Sequence, residues 1–172
     1  MNSSATEDGA VAMAHPSTTV ITRMNFAAPR ARVWDGLMFY EQIDQPPPLH
    51  LRLLLPVPIG TETSKSTVGA EVKCAYVGGH LMKRVTRIDA GHYYGFEVAE
   101  QNLAIGGGLT LQGGSYALRE TDGGSTEVAV TTNYVSHRRP AWLWKPVEAA
   151  VCHMFHRHLL SAIRRKIERR QA

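Results

Sequence analysis

The sequence of 172 residues is 44% hydrophobic and 20% charged, a composition typical of one globular domain large enough to bury its own core. No apolar run approaches the roughly 20 residues that a membrane-spanning helix needs, which excludes that class of protein. The first residues include Glu7 and Asp8 and lack the basic start and apolar centre of a secretory signal. We therefore expect a disordered leader at residues 1–17 and one domain at residues 18–172. Two cysteines make no disulfide framework and fit free thiols in a cytoplasmic protein.

The net charge of +4 is unevenly distributed along the chain. Residues 137–172 contain nine Lys or Arg against two Glu. Because a helix dipole favours cations near a helix C-terminus, a solvated helix end accounts for most of this excess. No motif of a nucleic-acid-binding protein accompanies it, so we expect no nucleic-acid partner. Trp142 and Trp144 lie close to Arg139 and Lys145, and this pattern leaves transient contact with an acidic membrane surface open.

The first elements in chain order are a strand and a short helix. Alternating apolar and polar residues predict a strand over Thr18 to Phe26 with one buried face. Pro29 suits the first position of a helix, which we expect to break near Gly36 and to resume to Ile43.

The next stretch, residues 45–60, contains five prolines. Prolines exclude a central strand and a long helix here, so a short edge strand or an apolar flap remains. The segment either packs as a cover or moves as a lid over a pocket.

The first hairpin of the middle region turns at glycines. A two-residue turn at residues 78–79 predicts that Tyr76 lies opposite Leu81. The other face of this hairpin would set two cations against each other, which is tolerable only in water. The face that contains Tyr76, Leu81 and Lys83 is therefore predicted to be the inner one.

The following hairpin brings a carboxylate to the same face. The predicted register places Lys83 opposite Val98 and Leu81 opposite Glu100, so that Glu100 lies diagonal to Lys83. A buried charge is costly unless it is paired. Lys83 and Glu100 therefore either pair inside the protein or lie at the sheet rim and reach solvent along their aliphatic stems. The residues leave both interpretations open.

The last hairpin is predicted from its buried pattern. A three-residue loop at residues 123–125 aligns Leu118 with Val130 and keeps the apolar residues, including Tyr116, on one inner face. Two adjacent glycines at residues 113–114 indicate a bulge in the preceding strand.

The C-terminal stretch from Pro146 to Arg170 is predicted to be one long helix. Its apolar residues recur at three- and four-residue spacing from Val147 to Ala162. Such a helix is roughly 35 Å long, enough to cross a small domain. The predicted fold class is α+β, with a curved antiparallel β-sheet packed around a long C-terminal α-helix.

This order of elements, together with the segment AAPRARVW at residues 27–34, resembles the SRPBCC (START-like, helix-grip) superfamily. The nearest resemblance is to its polyketide cyclase/dehydrase and lipid-transport group, and it covers about residues 18–170. The resemblance implies a sheet that grips the C-terminal helix, with a deep apolar cavity between them. It also implies an apolar ligand such as a lipid, sterol or polyketide, since members of the superfamily bind these molecules and a few are enzymes.

Three histidines on the predicted helix invite comparison with a metal site. His153 and His156 are three residues apart and could share an ion, but His158 projects about 140° away from His153. Without a placed third ligand we expect no metal. We expect His158, on the apolar stripe, to be a hydrogen-bonded core histidine or, second, a polar contact in the cavity.

Two further patterns resemble sites of chemistry. Cys152 and His156 have the spacing of a thiol and an activating base, although a small buried cysteine is the simpler interpretation. The glycine clusters lack the endings of phosphate-binding and dinucleotide-binding loops, so we expect no cofactor.

Three classes of function fit the domain. The first is binding or transport of a hydrophobic small molecule, lipid or polyketide-like, between the sheet and the C-terminal helix. The second is a cyclase or dehydratase that acts on such a molecule, and the third is a chaperone-activator-like interaction protein. The predicted ligand-binding residues are Tyr76, Leu81, Lys83, Phe96, Val98, Glu100, Tyr116, Tyr134, Met154 and His158.

Overall fold

The computed structural model describes residues 16–38, 58–62, 67–103, 105 and 108–169. Within these residues, seven strands form one antiparallel sheet in the order β1-β7-β6-β5-β4-β3-β2. The strands are β1 (Ser17–Phe26), β2 (Pro58–Glu62), β3 (Glu71–Tyr76), β4 (Gly79–Asp89), β5 (Tyr93–Asn102), β6 (Leu109–Thr121) and β7 (Ser125–Ser136). The helices described are α1 (Arg30–Met38) and α2 (Ala141–Arg169). The predicted α+β helix-grip fold is confirmed.

The long helix α2 lies against β1, β7 and α1 and buries one of its sides there. The buried side chains follow the spacing of one helix face; they include His156, Leu159, Leu160, Ala162, Ile163 and Ile167. Most of these pack into one core cluster with side chains of β1, α1, β6 and β7. A second cluster, centred on β3, β4 and β5, contains Val72, Cys74, Leu81, Val85, Tyr94, Leu103 and Ile105. The two clusters cover different parts of the same inner sheet face.

Helix α1 runs through Gly36 without a break, so the predicted interruption there is wrong. A side chain at Gly36 would meet Ile167 of α2 at 3.0 Å. The glycine therefore allows the two helices to pack closely and does not break α1. The predicted continuation to Ile43 lies outside the described residues.

Helix α2 begins at Ala141, five residues before the predicted start at Pro146. The carbonyl of Pro140 accepts hydrogen bonds from the amides of Leu143 and Trp144, which opens the helix upstream of the apolar repeat. Pro146 lies inside the helix near its N-terminal end, where its missing N–H removes one helical hydrogen bond. The earlier start places Trp142 and Trp144 on α2.

The β3–β4 hairpin has the predicted inner face but a different register. Tyr76 pairs with Gly79 and Cys74 with Leu81, so the predicted pair of Tyr76 with Leu81 is wrong by two residues. Gly79 is the first residue of β4, and only glycine fits there because a side chain would clash with the backbone carbonyl of Asn102 on β5. A shift of two residues keeps every side chain on its face, and Lys83 stays on the inner one.

The β6–β7 hairpin differs from the prediction in the same way. Its three-residue loop is Asp122–Gly124, which aligns Leu118 with Val128 and Tyr116 with Val130. The inner face is again the predicted one. The predicted bulge is confirmed, since the β6–β7 register shifts between Leu111 and Gly113.

Several predictions concern residues at or beyond the limits of the described parts. Residues 58–60 of the proline-rich segment belong to β2, an edge strand of the sheet, and residues 45–57 lie outside the described residues. The leader at residues 1–17 lies outside them except for its last two residues. No helix in the described part of the chain combines the length and apolar character needed to cross a membrane. The domain boundary and the cytoplasmic location stay predictions.

Candidate ligand-binding cavity

A cavity of about 230 Å³ lies between the inner face of the sheet and the first half of α2. Most of its wall is aliphatic or aromatic, which is typical of small-molecule sites. The apolar lining includes Leu81, Phe96, Val98, Leu103, Ile105, Leu109, Leu111, Val130, Trp144, Val147, Val151, Phe155 and Leu159. Its polar lining includes Tyr76, Lys83, Tyr116, Thr131, Thr132, Tyr134, Arg138, Glu148, Cys152 and His156.

The structure brings most of the predicted ligand-binding residues together in this wall. Seven of the ten line the cavity: Tyr76, Leu81, Lys83, Phe96, Val98, Tyr116 and Tyr134. Glu100, Met154 and His158 are not among its lining residues. What the seven bind stays a prediction, but their placement follows from the inner face of the sheet.

Lys83 projects its ammonium group among aromatic rings. Its Nζ lies 4.6 Å from the ring centroid of Phe96, within the range of a cation–π interaction. The rings of Phe96 and Tyr116 lie 6.5 Å apart, and Tyr94 lies 6.3 Å from Tyr116. The cation is therefore surrounded by aromatic groups.

No carboxylate of the described residues pairs with Lys83. Burial lowers the pKa of Lys83, but attraction to the ionisable groups of Tyr76, Cys74 and Tyr116 more than offsets this, and the net direction is upward. Burial also raises the pKa of Tyr76 and of Tyr116. Both phenols are therefore protonated at neutral pH, and the side chain of Lys83 faces them in an apolar wall.

Glu100 lies outside the cavity, so of the two interpretations left open for Lys83 and Glu100, the ion pair inside the protein is wrong. Val98 pairs with Lys83 as predicted, but Glu100 pairs with Met82 because the β4–β5 register shifts between Met82 and Lys83. One extra residue turns the following side chains to the other face. The side chain of Glu100 is 60% exposed, and its Oε1 lies 3.4 Å from Nε2 of His80.

Met154 and His158 also lie away from the cavity. The lining residues of α2 include a four-residue series of Val147, Val151, Phe155 and Leu159. Met154 and His158 each precede a member of this series by one residue, which turns them by about 100° around the helix axis. All four members of the series belong to the predicted apolar stripe, so only the placement of Met154 and His158 on that stripe was wrong.

The buried histidine of α2 is His156, which sequence reasoning did not select for the site. It is 1% exposed, and its Nδ1 and Nε2 lie 2.8 Å from the hydroxyls of Thr22 and Thr132. Thr22 also lies 2.7 Å from Nδ1 of His153. Because a hydroxyl has one proton, Thr22 donates to one of these nitrogens and accepts from the other. His156 is thus a hydrogen-bonded core histidine, the role that was predicted for His158, and the prediction for His158 itself stays a prediction.

This environment keeps both His156 and Cys152 uncharged. Burial, and then the proximity of His153, lower the pKa of His156 to about 4. Burial raises the pKa of Cys152 to about 11, although a hydrogen bond with Thr132 lowers it somewhat. The thiol Sγ lies 3.5 Å from Nε2 of His156. A neutral thiol beside a neutral imidazole does not form the activated thiolate considered for this spacing. No group of three potential metal ligands occurs within the described ranges.

Glu148 is a buried acidic residue of the wall that sequence reasoning missed. It is 5% exposed, and its Oε1 accepts a hydrogen bond from the hydroxyl of Ser136 at 2.7 Å. Its position four residues before Cys152, on one helix face, is the signal that could have identified it.

Solved structures of other proteins share this architecture. The structure aligns with the Zhui aromatase/cyclase from Streptomyces sp. R1128 at a TM-score of 0.63 and 17% identity, covering 91% of this chain and 97% of that one. It aligns with norcoclaurine synthase from Thalictrum flavum at a TM-score of 0.62 and 17% identity, covering 92% of this chain and 99% of that one. A START superfamily protein from Mycobacterium smegmatis aligns at a TM-score of 0.60 and 13% identity, covering 88% of this chain and 97% of that one.

Sequence comparisons contribute no closer relative, since no protein-family model and no curated protein matches the chain. The structural likeness extends over nearly the whole length of these three neighbours. Because the sequence identities are low, the likeness shows a shared fold and nothing more. The chain therefore has the helix-grip fold of the SRPBCC superfamily.

Proposed function

We propose that the protein binds a hydrophobic small molecule with an acidic group in the cavity between the sheet and α2. The observation that carries this proposal is the ammonium of Lys83 in an apolar wall, without a carboxylate partner among the described residues. An anionic group of a ligand would offset the desolvation of this cation. The neighbours of the same fold include an aromatase/cyclase and a synthase, which supports a small-molecule role.

Replacing Lys83 by Met is expected to weaken the binding of an apolar acid selectively. The change keeps an unbranched side chain of similar length but removes its charge, so 2-naphthoate should lose about 1–3 kcal/mol of binding free energy. The neutral analogue 2-naphthamide should change less. Fluorescence titration of both probes against the wild type and the variant measures the difference.

Lys73→Met is the matched control for this experiment. Lys73 lies on β3, next to Val72 and Cys74 but on the opposite face of the sheet, and it is not among the lining residues. It should leave both affinities unchanged. Equal losses for the acid and the amide in Lys83→Met would contradict the proposed role of the charge. Native mass spectrometry followed by solvent extraction tests separately whether the purified protein carries an apolar molecule.

A cyclase or dehydratase activity is the second candidate function. It rests on the same half-buried Lys83 among phenols, which could exchange protons with a ligand carbonyl. Turnover that disappears in Lys83→Met would favour it over binding alone. A chaperone-activator-like role fits less well, because a protein that only binds a partner chain needs no internal cavity, whereas the described residues line one.

We further propose that the mouth of the cavity contacts anionic membrane surfaces through the start of α2. Trp142 is 76% exposed there, and Leu143 is also exposed. Arg139 and Lys145 are exposed beside them, and Trp144 lines the cavity. Apolar and basic side chains combined at one helix end suit the interface of an acidic bilayer.

Trp142→Ala is expected to weaken binding to vesicles that contain phosphatidylserine, because the indole no longer enters the interface. Arg139→Gln should weaken it by about 1 kcal/mol, and only when the vesicles are anionic. Co-sedimentation with anionic and neutral vesicles measures both effects. Ile21→Ala, an exposed apolar residue on the outer face of the sheet, is the control. Equal sedimentation of all variants would contradict membrane contact.

A further inference from the structure

The hydroxyl of Thr132, on β7, connects the cavity wall with the buried histidine of α2. Thr132 is half-buried and lines the cavity, as do His156 and Cys152. Its Oγ1 lies 2.8 Å from Nε2 of His156, and the hydroxyl also hydrogen-bonds the thiol of Cys152. A hydroxyl offers one proton and two lone pairs, so it can take part in three hydrogen bonds. Thr132 therefore has the capacity for one more hydrogen bond at the surface of the cavity.

The role that Thr132 offers to a ligand depends on the ring proton of His156. Because the pKa of His156 is about 4, the imidazole is neutral at pH 7 and carries a proton on one nitrogen only. If the proton is on Nδ1, Nε2 accepts from the hydroxyl of Thr132, whose oxygen can then only accept from a ligand. If the proton is on Nε2, the ring donates to Thr132, and the threonine proton is available to a ligand. The sulfur of Cys152 is a weak acceptor and competes little for that proton.

The other side of the imidazole accommodates both positions of the ring proton. Nδ1 of His156 lies 2.8 Å from the hydroxyl of Thr22, which lies 2.7 Å from Nδ1 of His153. In one arrangement Thr22 accepts from His156 and donates to His153, and in the other it does the reverse. His153 is half-exposed, so water can exchange its ring proton. The network thus reverses without the loss of a buried hydrogen bond.

We propose that Thr132 binds a carbonyl or a hydroxyl group of the ligand, and that His156 sets its role by the position of the ring proton. This inference rests on the proposed function, because it concerns the same cavity. A carbonyl accepts the proton of Thr132 and requires the Nε2–H form of His156. A hydroxyl or N–H group donates to Thr132 and is compatible with the Nδ1–H form.

The position of Thr132 in the sheet separates this ligand group from the acidic group at Lys83. Phe96, Gly114 and Thr132 form one row across β5, β6 and β7. At the usual strand spacing, the backbone of Thr132 lies roughly 10 Å from that of Phe96, whose ring contacts the ammonium of Lys83. The ligand class is then an apolar acid that carries a separate carbonyl or hydroxyl group.

The test compares three flat tricyclic probes of nearly equal size. Fluorenone can only accept a hydrogen bond, carbazole can only donate one, and fluorene does neither. Thr132→Val keeps the shape of the side chain and removes its hydroxyl, so it should weaken fluorenone and carbazole about two- to tenfold, the loss of one hydrogen bond. It should leave fluorene within about twofold. Quenching of tryptophan fluorescence, to which Trp144 in the wall contributes, measures all affinities.

Two variants control for effects on the fold. Thr132→Ser keeps the hydroxyl and should bind all three probes within about threefold of the wild type. Thr86→Val makes the same chemical change as Thr132→Val at an exposed residue of β4 that is not among the lining residues. It should leave all three affinities unchanged.

The tautomer of His156 provides a readout that a purely structural role of Thr132 would not move. NMR of the imidazole nitrogens distinguishes the protonated nitrogen from the unprotonated one. In the wild type the ring proton should be on Nε2 in the fluorenone complex and on Nδ1 in the carbazole complex. This measurement provides an independent test if Thr132→Val does not fold.

The outcomes distinguish a failure of this inference from a failure of the proposed function. The inference is overturned if Thr132→Val weakens only one of the two polar probes or neither, or if His156 has the same tautomer in both complexes. It is also overturned if 2-naphthoate binds the wild type but fluorenone and carbazole do not. In each of these cases the apolar cavity stands. If 2-naphthoate and all three tricyclic probes fail to bind the wild type, the proposed function itself fails.

Discussion

Leu160→Ala is expected to lower the free energy of unfolding by about 2–5 kcal/mol. Leu160 is 0% exposed and belongs to the core cluster that joins α2 to β1 and α1. The loss combines the transfer free energy of the removed atoms with a new cavity that close-packed neighbours fill only in part. Urea denaturation, analysed by linear extrapolation, measures the change.

Leu143→Ala is the matched control, because the same atoms are removed from the same helix at an exposed position. It should change stability by no more than about 0.5 kcal/mol. Leu160 does not line the ligand cavity, whereas its neighbour Leu159 does. Leu160→Ala should therefore reduce stability without changing probe affinity at temperatures where the variant is folded. Equal stabilities of the two variants would show that α2 does not bury the assigned face.

The second large effect is a loss of stability on acidification that depends on His156. Its folded-state pKa of about 4 lies below the value of 6.5 for an unperturbed histidine. Above pH 6.5 the imidazole is neutral in both the folded and the unfolded state, so this site causes no loss of stability. As the pH falls from 6.5 to 4, the unfolded state binds a proton that the folded state does not bind. This site then removes about 3 kcal/mol of stability, and the loss levels off below pH 4.

Denaturation of the wild type and of His156→Gln at several pH values tests this dependence. The variant should be less stable at pH 7, because Gln matches the two threonine hydroxyls imperfectly, but its stability should fall less between pH 6.5 and 4. Carboxylates contribute to both profiles, so the difference between the proteins is the relevant quantity. NMR titration of the ring should also show no protonation of His156 near pH 6. Parallel stability profiles would contradict the assignment of the neutral imidazole.

Local patterns in the sequence were sufficient to identify the cavity face of the sheet. Alternation placed Tyr76, Lys83 and Tyr116 inward, and all three line the cavity. Both hairpin registers were wrong by two residues, yet the faces were right, because side-chain direction in a strand repeats every two residues. The apolar repeat likewise identified α2 as the helix that the sheet packs against.

Side chains whose position depends on an irregularity could not be placed in this way. Glu100 was assigned inward by counting from Val98, but the register shift in the β4–β5 ladder turns it to solvent. Gln101 lies opposite Leu81 instead and hydrogen-bonds the backbone of Leu109 and Leu111. Such a bulge depends on how strands that are distant in sequence fit together, so the local alternation of residues does not predict it.

The sequence by itself thus determined the class of fold, the inner faces of the strands and the presence of Lys83 among aromatic residues, because these follow from periodicities of two and of 3.6 residues. Only the tertiary structure decided which side of α2 meets the sheet, which placed His156 and Glu148 inward and turned Met154 outward. The rotation of a helix about its axis is set by packing against β1, β7 and α1, which are distant in sequence. For the same reason, the buried position of Glu148, hydrogen-bonded to Ser136 in the cavity wall, became visible only in the structure.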